Sequence, residues 1–239
     1  IFKGYLRRVQ AQARAEGPIE WAADQAIEGG IGWFRIRTDY AVESPEQPDD
    51  AVLDQELRLD RIANNLTVYD DPAASKPTRS DALFKFVTED LSKDEFKSRW
   101  PKADVQGIED FCATGDMKGW ADKDNIRIAE YWRVTYSDEY WVKTGQGIQK
   151  VSAFPEGMNP RDGRIVRRPK VEGFKITATE ILERWDWIGS RIPLIPIIGE
   201  ELNVDGKTIV RGVIQEGMDA QRMINYTYSG AVEIFALGP

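Results

Sequence analysis

The sequence predicts an α+β fold, with helices near both ends and a mixed, mostly antiparallel β-sheet region between them. Three observations lead there. Apolar residues recur at steps of three and four within residues 2–27, and again within residues 219–237. Between these ends, short stretches alternate apolar and polar side chains and are bounded by turn residues. No internal repeat, heptad or low-complexity tract offers support for a solenoid or a coiled coil.

Taken in order, Phe2, Leu6, Val9 and Ala13 form a helical stripe among Arg7, Arg8, Gln10 and Gln12. A second helix is expected from Pro18, with Trp21, Ala22, Ala26 and Ile27 on one face, closed by Gly29 and Gly30. Gly17-Pro18 either breaks the two helices apart or kinks one. Trp33, Arg35 and Arg37 alternate with Phe34, Ile36 and Thr38, which predicts a strand. Residues 43–50 are acidic with two prolines and read as an exposed loop. Leu57, Leu59 and Ile62 mark a second strand, and Asn64-Asn65 and residues 70–78 are turn-rich.

Residues 82–88 read as a strand and 92–100 as a helix, with Ser92 and Glu95 in capping-box spacing and Pro101 ending it. Residues 108–124 have no clear period and read as loop with at most one helical turn. A hairpin is expected from residues 126–135 and 140–142, joined at Ser137-Asp138-Glu139. Residues 146–163 read as helix or loop. Residues 170–179 and 180–188 then continue as a β meander.

The chain ends on its strongest signal. A Pro-broken apolar strand (IPLIPIIGEE), a turn (VDGK) and a short strand (IVRGVI) lead into a rod at residues 219–237, about 28 Å long. Its apolar face holds Ala220, Met223, Ile224, Tyr228, Ala231 and Phe235, widened by Ile234 and Leu237. Its polar stripe is Arg222, Asn225, Ser229 and Glu233, with Gly217 just before the rod and Gly238-Pro239 just after. Periodicity alone favours a core helix. The sharper reading is a helix packed against copies of itself.

Composition narrows the function. The chain has no histidine, so the commonest general base, the commonest zinc ligand and every Ser-His or Cys-His pair are excluded. Its one cysteine, Cys112, cannot form an intrachain disulfide, and in FCATG it reads as a small buried hydrophobe. A net charge of −8 argues against sequence-independent binding of nucleic acid. No stretch approaches the ~20 apolar residues of a membrane span.

Asp116, Asp122 and Asp124 invite a metal-dependent hydrolase reading, but Lys118 and Lys123 interrupt them and the EF-hand order is not met. A solvated loop accounts for them better, and Asp70-Asp71 and Glu200-Glu201 sit likewise beside turn signals. The glycines of EGGIGW precede a strand, whereas a phosphate cradle opens a helix. A basic cluster, Arg161, Arg164, Arg167, Arg168 and Lys170, fits DNA, a neighbour's acidic face or a solvated strand edge; the last two are preferred. Aromatics from Tyr131 to Trp141 would suit a carbohydrate-binding β module, although cross-strand packing explains them more simply. Neither cofactor nor metal is expected.

The C-terminal order of Pro-broken strand, turn, short strand and helix beginning Asp-Ala-Gln-Arg-Met-Ile-Asn resembles the portal (head-to-tail connector) proteins of short-tailed, podovirus-type bacteriophages. EGGIGWFRIRTDYA looks like that family's Gly-rich turn into an aromatic-basic strand. The segments DQELRLDRIANNLTVYDDPAASKPTRSDALFKFVTEDLSKDEFKSRWP and NIRIAEYWRV follow the same order. The resemblance covers nearly the whole chain. It rests on co-linear order, since no motif in it is a chemical signature.

This resemblance implies a structural virion component and not an enzyme. Residues 1–216 would be a wing-like α+β domain and residues 217–239 the start of the first stem helix. A chain beginning at Ile1 and stopping after the rod reads as a piece, with clip, returning stem helix and crown absent. The family forms a twelve-subunit ring at one capsid vertex, through which double-stranded DNA enters and leaves. Partners would be further copies, the terminase motor, and capsid and tail proteins, with synthesis in the host bacterial cytoplasm. On helical geometry, Arg222, Asn225, Ser229 and Glu233 would face DNA or the next subunit.

Overall fold

Glycines set the first corner of the chain. In the computed structural model, which describes residues 3–4, 7, 10–11, 14–40, 55–114, 119–144, 147–154 and 162–238, helix α1 (Glu16–Gly29) closes at Gly30. Gly30 adopts φ 94°, a left-handed conformation, and its N–H donates to the Ala26 carbonyl at 2.9 Å. Pro18 sits in the first turn, where a missing N–H costs nothing. Ala22 and Ala26 are buried, but Ile27 is exposed, so the apolar face is narrower than its spacing predicts. The stripe of Phe2, Leu6, Val9 and Ala13, the loop at 43–50, Asp116 and Arg161 lie outside the described residues.

The chain forms two units. The first comprises residues 1–65, 76–79 and 193–239. Strand β1 (Ile31–Tyr40) lies at the centre of a three-stranded antiparallel sheet, between β2 (Gln55–Arg61) and β9 (Leu194–Ile198). Helix α1 lies directly on it: a Cβ at Gly32 would fall 1.8 Å from the Ala22 carbonyl oxygen, so only glycine fits there. Trp21 Nε1 donates to the Ile62 carbonyl at 3.0 Å, and Asn65 Nδ2 donates to Gln25 and to the Ile31 carbonyl. Pro196 pairs with Trp33 on edge strand β9, where a missing ladder donor is tolerated.

Strands β10 (Glu200–Val204) and β11 (Lys207–Arg211) form a hairpin closed by Asp205 (φ 55°) and Gly206 (φ 78°), the two positive φ values of a tight primed turn. Gly212 then caps helix α4 (Val213–Leu237). The helix begins six residues before the expected start, and Gly217 lies inside it rather than ahead of it. Its first two turns supply Val213, Ile214 and Met218 as additional apolar positions.

The second unit comprises residues 66–75 and 80–192. Its six-stranded antiparallel sheet has the order β3 (Val68–Asp70), β4 (Phe84–Ser92), β5 (Asn125–Thr144), β7 (Gly163–Ile176), β8 (Ile181–Trp187), with β6 (Gly147–Val151) also paired to β5. Ser92 caps helix α2 (Lys93–Arg99), accepting from the Glu95 N–H at 3.3 Å, as the capping-box spacing predicts. Helices α2 and α3 (Val105–Thr114) contribute Phe96, Ile108 and Cys112 to a core shared with Leu91, Ile126 and Ile128 of the sheet. Farther along this sheet face Trp132 meets Trp185 and Trp187 edge-on at 5.4 and 6.0 Å, above Gly173, where any side chain would collide with Trp185.

The architecture is α+β, as the patterning predicts, and three local expectations are corrected. Helix α3 extends into residues 108–124 as far as Thr114, and its period of Val105, Ile108 and Cys112 is diluted by Gly107; Asp104 accepts from the Gly107 N–H and starts it. Residues 146–163 include strand β6. The hairpin expected at Ser137-Asp138-Glu139 does not exist. Those residues run straight through the 20-residue strand β5, paired with Arg168, Arg167 and Val166 of β7. Polar side chains that read as a turn are accommodated because basic residues stand opposite them.

Candidate functional site: a bare helix and a cationic sheet face

Helix α4 has 25 residues and none is buried. At about 1.5 Å per residue it is about 37 Å long. Met223 is 71% exposed, Ile224 47%, Tyr228 71% and Phe235 87%. Tyr226 and Val232, on the flank of the polar stripe, are exposed too, so apolar residues run most of the way around the rod. Periodicity missed them because they break the expected face. A helix apolar on so many sides belongs in contact with several others, and soluble monomers rarely leave a contiguous apolar patch of this kind in water. The polar stripe is occupied locally: Arg222 pairs with Asp219 at 3.1 Å, and Gln221 Nε2 donates to Asn225 at 3.0 Å. Ser229 and Glu233 lie exposed farther along.

The second feature is the face of the six-stranded sheet opposite α2 and α3. Glu172, with its side chain 4% exposed, accepts from Arg133 Nη2 at 2.8 Å, from Arg184 Nη2 and from Lys170 Nζ at 3.2 Å. Glu139 accepts from Lys150 Nζ at 2.7 Å, from Trp141 Nε1 at 3.1 Å and from Arg168 Nε. Hydrogen bonds, from Arg133 and then Arg184, hold the Glu172 carboxyl down at about 2; those from Lys150, Trp141 and Arg168 hold Glu139 at about 2. Phe174 lies between the guanidinium groups of Arg133 and Arg184, at 5.3 and 5.6 Å, and Tyr131 stacks on Phe86 at 4.6 Å. The aromatics around Tyr131 and Trp141 are thus engaged in cross-strand packing and cation contacts.

This arrangement has a pH signature. Both carboxyls titrate below the ordinary 4.5, so the stability they confer is complete above about 4.5 and is lost as pH falls towards about 2. Urea midpoints measured from pH 6 to pH 2 are expected to fall in that window, and less steeply in Glu172→Gln. An equal slope in that variant would contradict the Glu172 network.

The Asp122 N–H donates to the Asn125 carbonyl and the Asp124 carbonyl accepts from Lys93, so both shape the turn into β5. Among the described residues, no three His, Cys, Asp or Glu side chains gather to hold a metal. Asp71 is buried and accepts from the Ala73 and Leu83 N–H groups, while Glu200 and Glu201 point to opposite faces of exposed β10. Cys112 lies in the core, and burial pushes its thiol up. Arg164, Arg167, Arg168 and Lys170 lie on β7, along a stretch that pairs with β5 on one side only. No helix among the described residues is long and apolar enough to cross a membrane.

The chain is 27% identical over 229 residues to a protein named portal protein from Acyrthosiphon pisum secondary endosymbiont phage 1. That match covers 87% of this chain and 30% of the relative, so the chain spans about a third of the relative's length. All of residues 1–239 match the family described as phage P22-like portal protein. With its full length matched in this way, the chain belongs to the phage P22-like portal protein family.

Proposed function

We propose that the chain is part of a structural portal subunit and not an enzyme, with a wing-like region in residues 1–216 and the start of the stem in residues 217–239. Copies assemble into a ring of twelve at one capsid vertex of the virion, and double-stranded DNA passes through its channel during packaging and ejection. Ala220, Met223, Ile224, Tyr228, Ala231 and Phe235 pack against other stem helices. Arg222, Asn225, Ser229 and Glu233 face the channel or the adjacent copy. A terminase motor, capsid proteins and tail proteins dock on the ring, whose subunits are made in the host bacterial cytoplasm. The observation that carries this reading is helix α4, long, apolar on several sides and without a buried residue. A self-contained domain would have no use for it.

Electron micrographs of the full-length protein that carries this chain test the reading: rings with an axial channel are expected, and a uniformly monomeric protein would contradict it. The passage of DNA without capture has its own test. With a net charge of −8, the chain is expected not to retard duplex DNA at physiological salt. A gel shift at micromolar protein would overturn the idea of a channel wall that lets DNA slide.

A further inference from the structure

A closed ring of identical copies is built head to tail, so each copy must carry two different surfaces that fit each other. Besides α4, the chain carries such a pair in its charges. The first surface is the open sheet face, where Lys143, Lys150, Arg164, Arg168, Lys170 and Arg184 are exposed. Residues 136–170 hold seven Lys and Arg against four Asp and Glu, a net charge of +3 in a chain of −8, which leaves −11 for the remainder. Glu139, Glu172 and Asp186, the last paired with Lys170 at 3.1 Å, gather several of these cations without neutralising them all. Lys143 and Arg164 make no ion pair among the described residues.

The second surface is on α1. Glu16, Glu20, Asp24 and Glu28 recur every four residues and form a single row along the helix. Residues two apart lie about 200° apart around a helix, so the row runs opposite the buried Ala22 and Ala26. All four carboxylates are exposed, and none makes an ion pair among the described residues. Like charges at this spacing weaken a helix. Only Glu16, in the first turn, suits the positive end of the helix; Glu20, Asp24 and Glu28 lie beyond it, and recognition accounts for the row. The row is about 18 Å long, and the cations from Arg164 to Lys170 extend about 20 Å along β7.

We infer that the acidic row of α1 on one copy docks on the cationic sheet face of the next. The contact is head to tail, rests on the ring reading above, and adds to whatever α4 contributes. Its occupant is a second copy of this chain. Duplex DNA would satisfy the cations but would leave the carboxylate row without a purpose.

Charge reversal tests this on the 239-residue chain. One variant carries Glu16→Lys, Glu20→Lys, Asp24→Lys and Glu28→Lys; another carries Lys143→Glu, Lys150→Glu and Arg164→Glu; a third carries both sets. Circular dichroism establishes that each is folded. In sedimentation equilibrium the unchanged chain is expected to self-associate, about tenfold or more weakly at about 0.5 M than at about 0.05 M salt. Either reversed set alone weakens association about tenfold or more. An equimolar mixture of the first two variants restores it, and so does the doubly reversed chain. Arg167→Glu, on the opposite sheet face, leaves it unchanged.

The inference is overturned if the unchanged chain does not self-associate, if its association ignores salt, or if the mixture associates no better than either variant. It is also overturned if the chain retards DNA and only the Lys143, Lys150 and Arg164 reversals abolish this, since DNA is then the occupant. Should the full-length protein form rings that are indifferent to these reversals, the docking fails and the ring reading stands. Absence of any ring in the full-length protein defeats the ring reading on its own.

Discussion

Phe96→Ala is expected to destabilise the chain by about 3–5 kcal/mol, read as a lowered urea midpoint. Phe96 is 0% exposed and is enclosed by Leu91, Ile108, Cys112, Ile126 and Ile128, with its ring tilted against Trp100 at 5.4 Å. It joins α2 to the sheet, so its removal leaves a cavity at the centre of the packing between α2, α3 and the sheet. Phe111→Ala, on the exposed side of neighbouring α3, provides the comparison and should cost about 1 kcal/mol or less. A Phe96 loss no greater than the Phe111 loss would remove this cluster as the core of the second unit.

A double substitution in α4 should behave in the reverse way. Ile224→Ser with Phe235→Ser is expected to change the stability of the 239-residue chain by only about 0.5 kcal/mol, because both side chains are already in water. In the full-length protein the same pair is expected to abolish ring assembly, since each ring repeats the lost contact at every interface. If α4 belonged to the core of this chain, each large-to-small change would cost about 2–5 kcal/mol. Thermal and urea unfolding of the chain, with electron micrographs of the full-length protein, separate these outcomes. A loss of several kcal/mol in the isolated chain would require the stem assignment to be withdrawn.

Local chemistry explains which parts of the fold were legible. The Ser92 cap, the Gly30 helix stop and the Asp205-Gly206 turn each depend on one or two residues acting on the adjacent backbone, so residue type alone revealed them. Strand β5 was misread for the opposite reason. Ser137-Asp138-Glu139 has the composition of a turn, and only its distant partners Arg168, Arg167 and Val166 on β7 keep it extended. Helix α3 was hidden by Gly107 within a short period. The early start of α4 was hidden by Gly217, which a helix accommodates at a cost of about 1 kcal/mol.

The candidate surfaces divide along the same line. The rod was visible because a 3.6-residue period needs no tertiary information. Its wider apolar girth, including Tyr226 and Val232, appeared only once the whole helix was exposed. Arg164, Arg168 and Lys170 stood out as a basic run. Their alignment with Lys143, Lys150 and Arg184 on one sheet face depends on the register of β5, β6, β7 and β8, which no local pattern encodes.

Thiol labelling addresses the central claim, that α4 is bare in this chain and covered in the assembled ring. Cys112 is buried and supplies almost no background reaction. With Ile224→Cys or Phe235→Cys introduced singly, a maleimide reagent is expected to label the dilute 239-residue chain quickly, and to label assembled full-length particles at least about tenfold more slowly at the same positions, as local burial limits access. Equal labelling rates in the two states, or strong protection already in the dilute chain, would contradict it.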